Sequence, residues 1–119
     1  MESTLKMDIL DPVKAQNYQV VKFEGEFDKI GYSKIEDDLK ALLEEFPLQT
    51  VVFDFAKLKF INSEAIGYLM DIHGHLVKKD RNLVIVGLQD NIDDIFDTIG
   101  MKDVVPIYKS LGAFIKTKK

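Results

Sequence analysis

The chain has 119 residues, 46% hydrophobic and 30% charged, a composition that fits one globular domain over 1–119 with a single core and excludes a disordered chain. Its 20 acidic and 16 basic residues leave a net charge of −4, the wrong sign for neutralising nucleic-acid phosphates. Zero cysteines exclude disulfides and thiolate chemistry, and the short apolar runs and lack of a signal-like N-terminus lead us to expect a cytoplasmic protein that inserts in no membrane.

In chain order, Thr4 to Ile9 alternates as a short strand closed by Asp11-Pro12. Tyr18 to Phe27 follows as its hairpin partner, with Val21, Phe23 and Phe27 on one face and Lys22, Glu24 and Glu26 on the other. Ile35, Leu39, Leu42, Leu43 and Phe46 then fall on one helical stripe. Ser33-Lys34-Ile35-Glu36 has the form of a capping box that would open this helix, and Pro47 would stop it.

A buried strand is expected at Thr50 to Phe55, and a second helix opens near Ser63. Its apolar face is read as Ile66, Leu69, Met70, His73, Leu76 and Val77. Asn82 to Gly87 is apolar on both faces, the mark of a buried parallel strand. Ile92, Ile95, Phe96 and Ile99 form a third stripe, with Asp90 as its cap and Gly100 as its stop. A short strand at Val104 to Ile107 and a helix opened by Ser110 finish the chain. Strands alternating with helices predict an α/β fold: a mixed, mostly parallel sheet covered by about four helices.

Few residues offer catalytic chemistry. No Gly-x-Ser-x-Gly, Walker-type or Gly-x-Gly-x-x-Gly pattern occurs. His73 and His75 lie two apart on one helix and diverge. His73 reads as a core-edge residue with a local partner, His75 as solvent-facing. The acidic groups Glu36-Asp37-Asp38, Glu44-Glu45, Asp93-Asp94 and Asp97 follow the outer faces of helices and read as solvated surface, with no metal site. The basic runs Lys78-Lys79-Asp80-Arg81 and Lys116-Thr117-Lys118-Lys119 read as solvated ends. Neither an enzyme nor a cofactor is expected.

Ser63 is the informative residue. A hydroxyl in the first turn of a helix lies among backbone N–H groups that have no intrahelical partner, under the positive end of the helix dipole. It serves there as an N-cap, worth about 1 kcal/mol against alanine. The same place accommodates a phosphate of about −1.5 to −2 charges. Cap and switch both stand as readings.

The run from Val51 to Gly67, with Asp54-Phe55 and then Phe60-Ile61-Asn62-Ser63-Glu64-Ala65-Ile66-Gly67, resembles the core of STAS domains of the anti-sigma factor antagonist type. Their strand ends in Asp-Leu and leads to Phe-Ile/Met-Asp-Ser-Ser/Thr-Gly-Leu-Gly. Phe23-Glu24-Gly25-Glu26-Phe27-Asp28 resembles the family's Gly-Glu-Leu-Asp strand end. Leu83 to Gly87, followed by Ile95-Phe96-Asp97-Thr98-Ile99-Gly100-Met101, resembles its later strand and its Leu-Phe-x-x-x-Gly-Leu helix.

The resemblance implies a binding switch rather than a catalyst. It implies an anti-sigma factor with serine kinase activity as partner, phosphorylation of Ser63 as the event that ends binding, and a phosphatase that restores it. The implied docking surface comprises Asp28, Phe60, Ile61, Asn62, Ser63, Glu64 and Tyr68. Three positions depart from the pattern: Asn62 stands for aspartate, Glu64 for the second hydroxyl residue, and Ala65 for glycine. Glu64 places a charge beside Ser63 that repels a phosphate or partly imitates one. Two other readings remain beside the switch. One is a small STAS subunit of a lipid or anion transport complex at a membrane, acting as a constitutive interaction domain. The other is a scaffold or ligand-binding module.

Overall fold

Apolar residues on both faces of the central strands require cover on two sides, and the computed structural model, which describes residues 4–118, supplies it. One five-stranded sheet is formed by β1 (Lys6–Ile9), β2 (Tyr18–Phe27), β3 (Thr50–Ile61), β4 (Asn82–Val86) and β5 (Ile107–Tyr108), adjacent in that order. The β1–β2 pair is antiparallel; the β2–β3, β3–β4 and β4–β5 pairs are parallel. Among the described residues four α-helices accompany it: α1 (Lys29–Glu44), α2 (Ser63–Lys78), α3 (Asp90–Thr98) and α4 (Leu111–Lys116).

The main core lies between one sheet face and α1, α2 and α3. It joins Val21, Phe23 and Phe27 of β2 to Phe53 and Phe55 of β3, and to Leu39, Leu69 and Phe96 of the three helices. The alternate residues Tyr18, Val20, Val52, Val84 and Val86 face the other way, onto Phe114 of α4. Period-two alternation thus feeds two cores from the same strands. Successive crossovers into neighbouring parallel strands place α1, α2 and α3 side by side, with α2 in the middle.

Several boundaries differ from expectation. The first strand begins at Lys6, although Leu5 is fully buried beside it. The helix expected to open at Ser33 opens at Lys29; Ser33 lies inside it and donates its hydroxyl to the Lys29 carbonyl at 3.0 Å. Gly31 and Tyr32 look like loop residues in sequence, yet both are buried in the first turn of α1. β3 runs on to Ile61, six residues past Phe55, because Lys57, Leu58, Phe60 and Ile61 still pair with β2, the exposed Ala56 and Lys59 falling at two register shifts. Gln89 takes the N-cap position of α3, so Asp90 is its first helical residue. Gly100 does stop α3, with φ of 75°. β5 lies later than Val104, because Met101–Asp103 forms a 3-10 turn that buries Val105.

The α2 stripe is also rotated from its expected position. Ala65, Leu69, Ile72 and Leu76 are buried, whereas Met70 and Val77 are exposed. His73 is half-buried, and its Nδ1 is enclosed without a hydrogen-bond partner among the described residues instead of having the local partner expected for it. His75 is exposed as expected, with Nε2 3.4 Å from the Leu43 carbonyl oxygen.

Candidate functional site

In a parallel sheet the strand ends that feed helices collect polar chemistry, because the helix N-termini there leave N–H groups unpaired. Two such junctions lie side by side. β2 ends at Phe27 and β3 at Ile61, which are partners in the parallel register. One residue then separates each strand from its helix: Asp28 before α1 and Asn62 before α2. The Asn62 N–H donates to the Phe27 carbonyl at 3.2 Å and ties the two junctions together.

Each connecting residue caps its helix. Asp28 Oδ1 accepts from the Gly31 N–H at 2.8 Å, and Asn62 Oδ1 accepts from the Ala65 N–H at 2.9 Å. Both hold extended backbone, as N-caps do. The expectation that Ser63 caps α2 is therefore corrected: Asn62 does so, and Ser63 is the first residue of the helix. The sequence signal was ambiguous, because Asn and Ser cap equally well and stand next to each other. Ser63 is exposed, and its hydroxyl has no hydrogen-bond partner among the described residues.

The remaining expected residues are distributed around this point. Glu64 is exposed in the first turn of α2. Phe60 is 45% exposed, a large apolar side chain left in solvent at the end of β3. Ile61, by contrast, is 3% exposed and belongs to the core; it supports the site from beneath and presents no side-chain surface. Asp28 and Asn62 are half-buried, held by their capping bonds.

Tyr68 is half-buried one turn further on, and its ring stacks on Tyr32 of α1 at 4.0 Å between centroids and 16° between planes. Sequence reasoning did not find Tyr32; only the pairing of α1 with α2 brings it to the site. Burial, then the charge of Glu36, raises the Tyr32 phenol above its ordinary pKa of 10.0 and holds it neutral. Among the described residues no group of three His, Cys, Asp or Glu converges as metal ligands would. No helix of the described residues is long and apolar enough to cross a membrane.

This arrangement brings together an exposed aromatic ring, a hydroxyl at a positive helix end with no hydrogen-bond partner among the described residues, and an acidic neighbour. The family model for the STAS domain matches residues 10–113. An anti-sigma-B factor antagonist of Staphylococcus epidermidis is 24% identical over 98 residues, spanning 82% of this chain and 90% of that protein. The crystal structure of an anti-sigma factor antagonist from Mycobacterium paratuberculosis has the same fold, with a TM-score of 0.82 at 17% identity over 97% of this chain and 94% of that one. The Bacillus cell fate determinant SpoIIAA in its phosphorylated form superposes with a TM-score of 0.67 at 13% identity, covering 96% and 99% of the two chains.

Proposed function

The chain belongs to the STAS domain family and is similar to its anti-sigma factor antagonists, and we propose that it works as a cytoplasmic regulator of transcription by docking onto an anti-sigma factor that is also a serine kinase. Docking uses the surface of Asp28, Phe60, Asn62, Ser63, Glu64 and Tyr68. Phosphorylation of Ser63 ends it, and a phosphatase restores it. The chain acts by binding, not by catalysis.

One observation carries this reading. Asn62 supplies the cap that Ser63 was expected to supply, which leaves an exposed hydroxyl with no structural duty at the positive end of α2. A phosphate there meets unpaired N–H groups and a favourable dipole, so the fold accepts it. The same two negative charges on a docking surface bring repulsion and desolvation to a partner. Glu64 is charged in both states, so the change at the surface is that of the phosphate itself.

Ser63→Asp tests this. Affinity for the partner is expected to fall about tenfold or more while the unfolding midpoint stays within a degree or two. Equal affinity for folded wild type and Ser63→Asp would sink the proposal. Intact mass of the protein from native cells provides the second reading, as a one-phosphate increment lost in Ser63→Ala. An unmodified protein that co-purifies with membrane proteins would favour the transport-complex reading instead.

A further inference from the structure

α1 and α2 follow neighbouring parallel strands, so they lie side by side and run the same way. Tyr32 and Tyr68 stack across their first turns. Further along both helices a cavity of about 400 Å³ opens between them. Its floor is apolar and buried, formed by Leu39 and Leu43 of α1 and Ile72 of α2. Its walls are polar, with Lys40 and Glu44 on α1 and Asp71 and His75 on α2. Small-molecule sites have this size, roughly 300 to 1,000 Å³, and this character of apolar lining with a few converging polar groups.

Tyr32 lines one end of the cavity and is the group that asks for a ligand. The residue is 8% exposed, and its ring is held by the near-parallel rings of Tyr68 at 4.0 Å and Phe27 at 6.1 Å. The hydroxyl of a tyrosine buried to this extent ordinarily finds a partner. This one has none among the described residues. The charges that act on it include those of Lys40 and Asp71, which stand on the cavity walls, so the hydroxyl is aimed into the cavity.

The charges around the cavity choose the ligand's sign. Lys40 is already paired with Glu36 at 2.9 Å, and Lys79 donates to the Glu44 carbonyl, which sets a cation beside that end. Asp71 is exposed and forms no ion pair among the described residues. An anion in the cavity would meet Asp71 with no uncommitted cation to offset it. An ammonium group has three donors and no acceptor, which suits a carboxylate and a phenol oxygen that both lack a partner.

We propose that this cavity binds a small organic amine, with its ammonium group donating to Asp71 and to the Tyr32 hydroxyl oxygen and its apolar body resting on Leu39, Leu43 and Ile72. The site is independent of the docking reading. It shares no residue with the surface around Ser63 and reaches it only through the stack of Tyr32 on Tyr68.

Titration of the full chain with 2-phenylethylamine and with hexylamine, followed by amide nuclear magnetic resonance, tests the site. Both amines should saturate and shift the amides of Tyr32, Leu39, Leu43, Asp71 and Ile72, whereas phenylacetate, with the charge reversed, should leave them in place. Asp71→Asn should weaken amine binding about tenfold. Tyr32→Phe keeps the ring and its stack and should weaken it about threefold. No saturable shift with either amine up to about 10 mM overturns the proposal. Equal binding of phenylacetate, shifts that lie outside α1 and α2, or unchanged affinity in either variant overturns it as well.

Discussion

The starts of α1 and α2 are built alike and used differently. Both follow a parallel strand after a single residue, and in both that residue caps the third helical N–H. At α1 the third helical residue is Gly31, buried beneath Leu5 with no room for a side chain. At α2 it is Ala65, whose methyl is fully buried; before it, two residues stand in solvent at each helix, Lys29 and Ile30 at α1 and Ser63 and Glu64 at α2. The α1 junction is sealed at its third position; the α2 junction holds the same backbone and is open there to a methyl. The difference teaches that the local rules of helix initiation do not decide what a junction offers. The side chains carried by its exposed first turn do.

The largest effect that tests this contrast comes from filling the sealed junction. A Cβ at position 31 would lie 2.9 Å from both the Glu26 carbonyl oxygen and Leu5 Cβ. Helix propensity alone favours alanine over glycine by up to about 1 kcal/mol. Overpacking against backbone outweighs it, so Gly31→Ala should cost about 2 kcal/mol in urea unfolding. The reverse change at the open junction, Ala65→Gly, should cost about 1 to 2 kcal/mol through lost methyl burial and chain entropy. A stabilised Gly31→Ala protein would show that the two first turns are equally roomy.

The caps come next. Asp28→Ala should cost about 1 to 2 kcal/mol, since it removes a hydrogen bond and a charge at the dipole's positive end. Asn62→Ala removes a neutral cap and should cost about 1 kcal/mol. Equal losses would mean that the charge of Asp28 contributes nothing. Chemical denaturation at low salt, where the dipole term is least screened, measures both.

A smaller effect links the two helices through the Tyr32–Tyr68 stack. The Tyr32 phenol is raised by burial, so its folded value lies above its unfolded value. Its contribution to stability is then complete below about pH 10 and is lost as pH rises through the folded value. Thermal unfolding of wild type should weaken above pH 10 more steeply than that of Tyr32→Phe. Parallel alkaline profiles would show that the stack between α1 and α2 carries no such linkage.

Much of this was legible in residues whose burial is all or none. The apolar runs of β3 and β4, the alternation in β2, and Gly100 after α3 each had one physical solution. The boundaries that moved depend on neighbours distant in sequence. Lys57 and Lys59 look like loop residues, but Lys57 pairs with Glu24, and Lys59 is carried between Leu58 and Phe60, which pair with Gly25 and Glu26. Gly31 looks like a helix breaker, but Leu5 requires its bareness. Periodicity places Met70 and Val77 on the α2 stripe although both are exposed, because an apolar residue on an open helix flank has the same sequence signature as one facing a core. At the site, the residue types were readable and their division of labour was not. Asn62 and Ser63 are interchangeable caps until the backbone shows which lies outside the helix.

That division yields the smallest and most discriminating expectation. If Ser63 capped α2, Ser63→Ala would cost about 1 kcal/mol. With the cap on Asn62, position 63 is an exposed first helical residue whose hydroxyl has no partner among the described residues. Its replacement by the better helix former should then change stability by less than about 0.5 kcal/mol. A loss near 1 kcal/mol would return the capping role to Ser63 and remove the main support for reading it as a switch. A neutral Ser63→Ala, set beside a costly Asn62→Ala, separates the residue that holds the helix from the one left available for chemistry. The α2 junction can then change its charge at Ser63 without changing its fold, whereas neutralising Asp28 weakens the bond that caps α1.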